Sequence, residues 1–203
     1  MVETDVYKTI AASSEGIYKE KGSRFISLAY PVVTEDEIRE IVSRLKEKYY
    51  DARHHCYAWR LGAAKTHFRA NDDGEPSSTA GKPILGQIQS NDLTNILIVV
   101  VRYFGGIKLG VSGLINAYRE AAADAIANAE IIEKTVDEQL KIQFSYLAMN
   151  DVMKIVKEIS PEVLERNFEM ACEMLLAIRQ KDMPILKSRL EQVDSLIFLD
   201  ENN

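Results

Sequence analysis

The stretch Asn95–Gly113, NILIVVVRYFGGIKLGVSG, decides the architecture of the first two thirds of the chain. Ile96–Val101 is apolar at consecutive positions, the pattern of a strand buried on both faces. A strand is predicted over Asn95–Phe104. Glycines follow it, and Ser112 is placed to cap an alanine-rich helix over Gly113–Ala129. Successive glycines bare backbone N–H groups, and a helix N-terminus attracts anions. Arg102, Gly105, Gly106, Lys108, Gly110 and Ser112 are therefore candidate anion-binding residues. The loop is not a Walker A motif, because Gly110-Val111-Ser112 stands where Gly-Lys-Ser/Thr is needed, and the G-x-G-x-x-G spacing also fails. The competing reading is a tight turn and close helix–strand packing.

Upstream, Arg69–Gln87 reads RANDDGEPSSTAGKPILGQ. Asp72, Asp73 and Glu75 crowd three carboxylates around Gly74, ahead of Pro76. Like charges this close require a cation, arginines or backbone N–H donors. Three readings stay open: a tight turn or a cap on a helix starting near Thr79, a ligand or RNA contact, and a Mg²⁺ or general-base site. No histidine or cysteine stands at a metal-ligand spacing beside the cluster, and no metal ligand is assigned.

Further upstream, Tyr49–Ala70 holds all three histidines together with Arg53, Arg60, Lys65 and Arg69, interleaved with Tyr57, Trp59 and Phe68. Cations among aromatics suit a sheet that stacks bases and neutralises phosphates. Arg53, His54, Arg60 and Arg69 join the candidate nucleic-acid set on this ground. Alternation puts His54, Cys56, Ala58 and Arg60 on one face of a strand. An imidazole beside a thiol can activate it, but a buried cysteine packing as a small core residue is the preferred reading.

The 203-residue chain carries a net charge of -6, so any polyanion site must be local. Two distant cysteines, Cys56 and Cys172, suggest no disulfide framework and fit a reducing compartment. The polar N-terminus and short apolar runs point to a cytoplasmic protein that does not span a membrane. All glycines lie at or before Gly113, and residues 1–134 carry a net charge of −1 against −5 for 135–203. A domain boundary near Lys134 follows.

The first domain, 1–134, also has predicted strands at Tyr7–Ala11, Arg24–Pro31, Cys56–Leu61 and Thr66–Ala70, and a helix Glu35–Tyr49 capped by Thr34. In 135–203, strand Val136–Ser145 precedes a helix capped by Asn150 or Asp151 and stopped by Pro161. Strands Val163–Phe168 and Ala171–Ile178, helix Lys181–Val193 and strand Leu196–Leu199 follow. The order βαββαβ is the split βαβ of ferredoxin-like domains. The fold class is α+β with two domains.

Three runs, ARHHCYAWRLG (52–62), DDGEPSSTAGKPILGQ (72–87) and VVVRYFGGIKLGVSGLINAYREAA (99–122), together resemble the IMPACT family, the YigZ-like group of bacterial proteins. The resemblance implies an N-terminal domain similar to domain 2 of a small-subunit ribosomal protein. It also implies a C-terminal ferredoxin-like domain similar to the C-terminal region of elongation factor G. Eukaryotic relatives regulate translation in amino-acid starvation by binding an activator of a starvation-sensing kinase, and they carry an additional N-terminal recognition domain that this chain is expected to lack. Asp72, Asp73, Gly74, Glu75, Pro76, Arg102, Tyr103, Gly105, Gly106 and Gly110 fall on family signature positions, and the family supplies no catalytic residue to transfer.

The expectation is a translation-associated regulator that binds RNA or the ribosome through its N-terminal domain, without DNA specificity. The alternatives are a metal-assisted enzyme on a phosphorylated or nucleotide substrate and a protein-interaction module. No cofactor is expected beyond a possible Mg²⁺, and an enzyme is the less favoured class.

Overall fold

A computed structural model describes residues 5–168 and 171–199. The chain divides into two compact units, Val6–Lys134 and Thr135 onward together with Asp5.

In the first unit, β1 (Val6–Ile10) precedes the hairpin β2 (Ser14–Glu20) and β3 (Ser23–Pro31). Lys21 and Gly22 both take positive φ, as a two-residue hairpin turn needs. The helix α1 (Glu35–Lys48) opens on a reciprocal capping box: Glu37 N donates to Thr34 Oγ1, and Thr34 N donates to Glu37 Oε2, each at 3.2 Å. Then come β4 (His54–Leu61), β5 (His67–Asn71), α2 (Gly81–Ser90), β6 (Ile96–Tyr103), α3 (Gly110–Ala127) and β7 (Ile131–Thr135), which pairs with β1.

The main sheet runs β2-β3-β6-β4-β5 with antiparallel pairing throughout. β6 is central and buried from Ile96 to Arg102, as its unbroken apolar run requires. Ile96, Ile98 and Val100, with Cys56 and Ala58 of β4, face α2 and α3 in one core. Leu97, Val99 and Val101, with Trp59 and Leu61, face α1 in another. The result is three layers with the β6–β4 pair between them.

β2 is absent from the predicted strands. Its inward positions are Ser14, Gly16 and Tyr18 rather than large aliphatics, because the C-terminal half of α3 lies directly on it. A Cβ on Gly16 would stand 2.4 Å from Ala125 N. The expected Ser112 cap is also corrected. α3 begins at Gly110, Ser112 lies in its first turn, and no side chain caps it. α2 likewise starts at Gly81, two residues after Thr79.

The second unit contains β8 (Asp137–Phe144), α4 (Met149–Ile159), β9 (Glu162–Asn167), β10 (Cys172–Arg179), α5 (Met183–Leu190) and β11 (Ile197–Leu199). Its sheet order, β11-β8-β10-β9, is the ferredoxin-like arrangement that βαββαβ predicts. Leu140, Ile142 and Phe144 of β8 and Met174 and Leu176 of β10 pack against Val152, Ile155 and Leu186 of the two helices. Asn150 and Asp151 sit inside the first turn of α4 and do not cap it, since a short 3₁₀ turn, Tyr146–Ala148, leads into the helix. The fold is α+β in two parts, as the sequence pattern indicates. No helix among the described residues is long and apolar enough to cross a membrane.

Candidate functional site

The acidic loop Asp72–Pro76 lies between β5 and α2, and its three carboxylates point to three different places. Asp72 accepts from Ser78 N at 2.7 Å, Ala80 N at 3.1 Å and Gly81 N at 2.8 Å. It therefore closes the otherwise uncapped start of α2, where a negative charge also meets the positive end of the helix dipole. Asp73, at a positive φ, accepts from His55 N at 2.7 Å and from Lys46 Nζ of α1 at 2.9 Å. Burial pushes the Asp73 carboxyl up, but the Lys46 ammonium and the His55 N–H outweigh it and hold the group below the ordinary aspartate range. Glu75 turns inward, where its Oε1 accepts from Arg102 Nη1 and, at 2.8 Å, from the Tyr118 hydroxyl.

The like-charge problem is thus resolved by helix N–H groups, Lys46 and Arg102, not by Arg53, Arg60 or Arg69. Among the described residues no group of three potential ligands converges as a metal site.

The two histidines of β4 divide in role. His54 Nδ1 lies 2.8 Å from the Asp73 carbonyl. A carbonyl only accepts, so Nδ1 carries a proton, and the other ring nitrogen, Nε2, stands 3.9 Å from Glu75 Oε1. His55 is buried; its Nε2 donates to the Tyr49 carbonyl at 3.1 Å, and burial pushes its pKa down. His55 fastens the end of α1 to β4.

Cys56 is fully buried. Its thiol reaches the Asp72 carbonyl at 3.0 Å and the Tyr118 hydroxyl at 3.3 Å, not His54. Burial pushes the thiol far above its usual range, and the Tyr118 hydroxyl is likewise pushed up by burial and by Cys56 beside it. This is a core thiol rather than a nucleophile.

Between this loop and the start of α3 lies a cleft of about 490 Å³. Its polar lining is Arg53, His54, Glu75, Arg102 and Lys108. Phe104, Val111 and Leu114 supply apolar wall. Phe104 and Val111 are exposed, whereas Arg102 is 6 % exposed. The Arg102 guanidinium lies between the rings of Phe25 and Phe104, with its carbon 5.5 and 5.7 Å from their centroids, and its buried Nε has no partner. The first turn of α3, Gly110 onward, enters the same cleft without a capping side chain. Gly106 and Gly110 both take positive φ with open space around them. Gly105 has a different role: a Cβ there would stand 1.9 Å from Gly22 C, so it seats the loop against the β2–β3 turn.

The structure therefore brings together Arg53, His54, Glu75, Pro76, Arg102, Lys108 and Gly110. Arg60 lies elsewhere, donating to the carbonyls of Lys65 and Leu93. Arg69 pairs with Trp59 across β4–β5, and Ser112 sits exposed on α3 without lining the cleft. Tyr118 and Phe104 are the residues that sequence reasoning missed. Tyr118 is visible only as an aromatic on the alanine face of α3, and Phe104 only as the residue that ends the apolar run. A cavity of about 510 Å³ in the second unit is lined by Asp137, Glu162, Asp182 and Arg179, and that arginine is already held by Asp5 at 2.6 and 2.9 Å.

Residues 21–126 match the family profile of the Impact N-terminal domain, a span that runs from the β2–β3 turn nearly to the end of α3 and contains every residue lining the cleft. An IMPACT family member of Haemophilus influenzae is 32% identical over 197 residues, 96% of this chain and 94% of that protein. The IMPACT family member YigZ of Escherichia coli is 32% identical over 73% of this chain and 74% of its own length. A crystal structure described as that of a hypothetical protein covers 98% of this chain and 100% of its own, at 27% identity and a TM-score of 0.76. On the matched domain and on a relative that aligns along nearly its whole length, the chain belongs to the IMPACT family.

Proposed function

We propose that the protein is a translation-associated regulator that acts in the cytoplasm by binding RNA, free or within the ribosome, through the cleft of its first unit. The observation that carries this reading is the convergence of Arg53, Arg102, Lys108 and the uncapped start of α3 on one cleft, in a chain of net charge -6. Concentrated positive charge on an acidic protein marks where a polyanion is held. Phe104 at the mouth adds a ring on which a base can stack. The translation context comes from the family, whose eukaryotic relatives are expected to act in starvation control. A protein partner in that control would use a separate surface.

The footprint is smaller than the basic stretch Arg53–Arg69 suggests, because Arg60 and Arg69 do not reach the cleft. Two or three cations facing phosphate give a logarithmic salt slope of about −1.4 to −2.1 for a single strand, or about a tenfold loss of affinity between roughly 50 and 200 mM salt. Co-sedimentation with ribosomes, and anisotropy of a labelled single-stranded RNA over that salt series, test the reading. Binding that weakens by about this factor and disappears in Arg53→Glu/Lys108→Glu supports it. No binding at the lowest salt, or binding indifferent to the double substitution, overturns it.

A further inference from the structure

The cleft offers hydrogen-bond acceptors as well as cations, and the acceptors narrow the ligand. Glu75 gives Oε1 to both Arg102 and Tyr118, while no hydrogen bond among the described residues reaches its Oε2. His54 commits Nδ1–H to the Asp73 carbonyl, so that whenever the imidazole carries a single proton its Nε2, 3.9 Å from Glu75 Oε1, is a second acceptor. Donors line the same cleft: the start of α3, which no side chain caps, Lys108, and Arg102, which is nine-tenths buried with its Nε unpartnered. A bare phosphate would satisfy the donors and be repelled by Glu75. An uncharged sugar would satisfy the acceptors and leave the donors empty. The ligand that satisfies both walls carries an anion at one end and adjacent hydroxyl donors at the other, with a flat apolar part for Phe104 and Val111.

A ribonucleotide has these three parts. Its phosphate fits the α3 start and Lys108, its base fits Phe104, and its ribose hydroxyls donate to Glu75 Oε2 and His54 Nε2. Two neighbouring acceptors call for two neighbouring hydroxyls. In an RNA strand only the 3′-terminal residue keeps both 2′- and 3′-hydroxyls, since every internal residue has its 3′-oxygen esterified. The cleft, about 490 Å³, has the volume of a small-molecule pocket.

We infer that the cleft is a site for the 3′-terminal nucleotide of RNA, recognised through its free 2′,3′-diol. This rests on the RNA reading above and specifies which part of the RNA is read.

The full chain is titrated at low salt with three hexaribonucleotides of one sequence, 5′-labelled and ending in a free 2′,3′-diol, a 3′-phosphate or a 2′,3′-dideoxynucleotide. The free diol is expected to bind at least tenfold more tightly than either blocked end, and adenosine 5′-monophosphate is expected to displace it. Glu75→Gln and, in case that variant does not fold, His54→Gln should each shrink the difference between free and blocked ends. Lys108→Ala should weaken all three strands alike. Equal affinity for the three ends, or full selectivity retained in a folded Glu75→Gln or His54→Gln variant, overturns the inference and leaves RNA binding standing. Failure of every oligonucleotide to bind overturns both.

Discussion

Arg102→Met provides the sharpest test of how the cleft floor is held. Glu75 and Arg102 have side chains only 4% and 8% exposed, and Glu75 Oε1 is shared between Arg102 and Tyr118. Removing the guanidinium leaves a buried carboxylate with one neutral donor. Stranding one member of a buried ion pair typically costs about 3–5 kcal/mol. At about 3 °C per kcal/mol for a unit of this size, the transition should fall by about 10 °C. Glu75→Gln/Arg102→Met removes both charges and should recover about 2 kcal/mol or more of that loss, because buried pairs are often no more stable than neutral replacements. The assay is urea and thermal unfolding followed by fluorescence of Trp59, the single tryptophan, which is buried in the first unit and reports on it alone. A cost below about 1 kcal/mol, the value of an exposed pair, would refute the reasoning. So would a double variant whose loss equals the sum of the two singles.

Asp72→Ala strips three N–H groups at the start of α2 of their acceptor and should cost about 2–4 kcal/mol by denaturant titration, with Asp72→Asn costing less. Asp73 has a folded-state pKa below its unfolded value of about 3.9, so its contribution is complete above that value and is lost as pH falls through the lower, native one. Urea midpoints between about pH 6 and 3 should therefore fall less steeply for Asp73→Asn than for the parent chain, and parallel curves would count against the Lys46 contact. Cys56, buried with its thiol pushed far up, should resist iodoacetamide in the native protein and react only in denaturant; rapid native labelling traced to Cys56 by mass spectrometry would contradict the burial.

Elements whose burial is written in their own residues were legible from sequence. The unbroken run Ile96–Val101 gave the central strand, Thr34 as a cap gave the start of α1, and the pattern after Lys134 gave βαββαβ. What escaped is set by partners distant in sequence. β2 turns Ser14 and Gly16 inward where α3 presses on it, so it lacks apolar alternation. The start of α3 is misplaced by three residues when Ser112 is read as a cap, since the helix begins uncapped at Gly110. In the cleft, the charged and glycine positions were visible as types, but not their directions. Nothing local tells that Asp72, Asp73 and Glu75 diverge, or that Arg60, which alternation places on the same face as His54, does not reach the cleft that His54 lines.

The divergence of those carboxylates also has a temporal meaning. Glu75 finds its partners 27 and 43 residues downstream, and Asp73 finds Lys46 27 residues upstream. Contacts of such separation form only after the intervening chain has closed into loops. During synthesis Asp73 follows Lys46 and Asp72 meets the nearby N–H groups of α2, whereas Glu75 emerges before Arg102 of β6 and Tyr118 of α3 exist and waits for both. Chains halted before α3 would lack the floor of the cleft, and the cleft belongs only to a domain that has been completed.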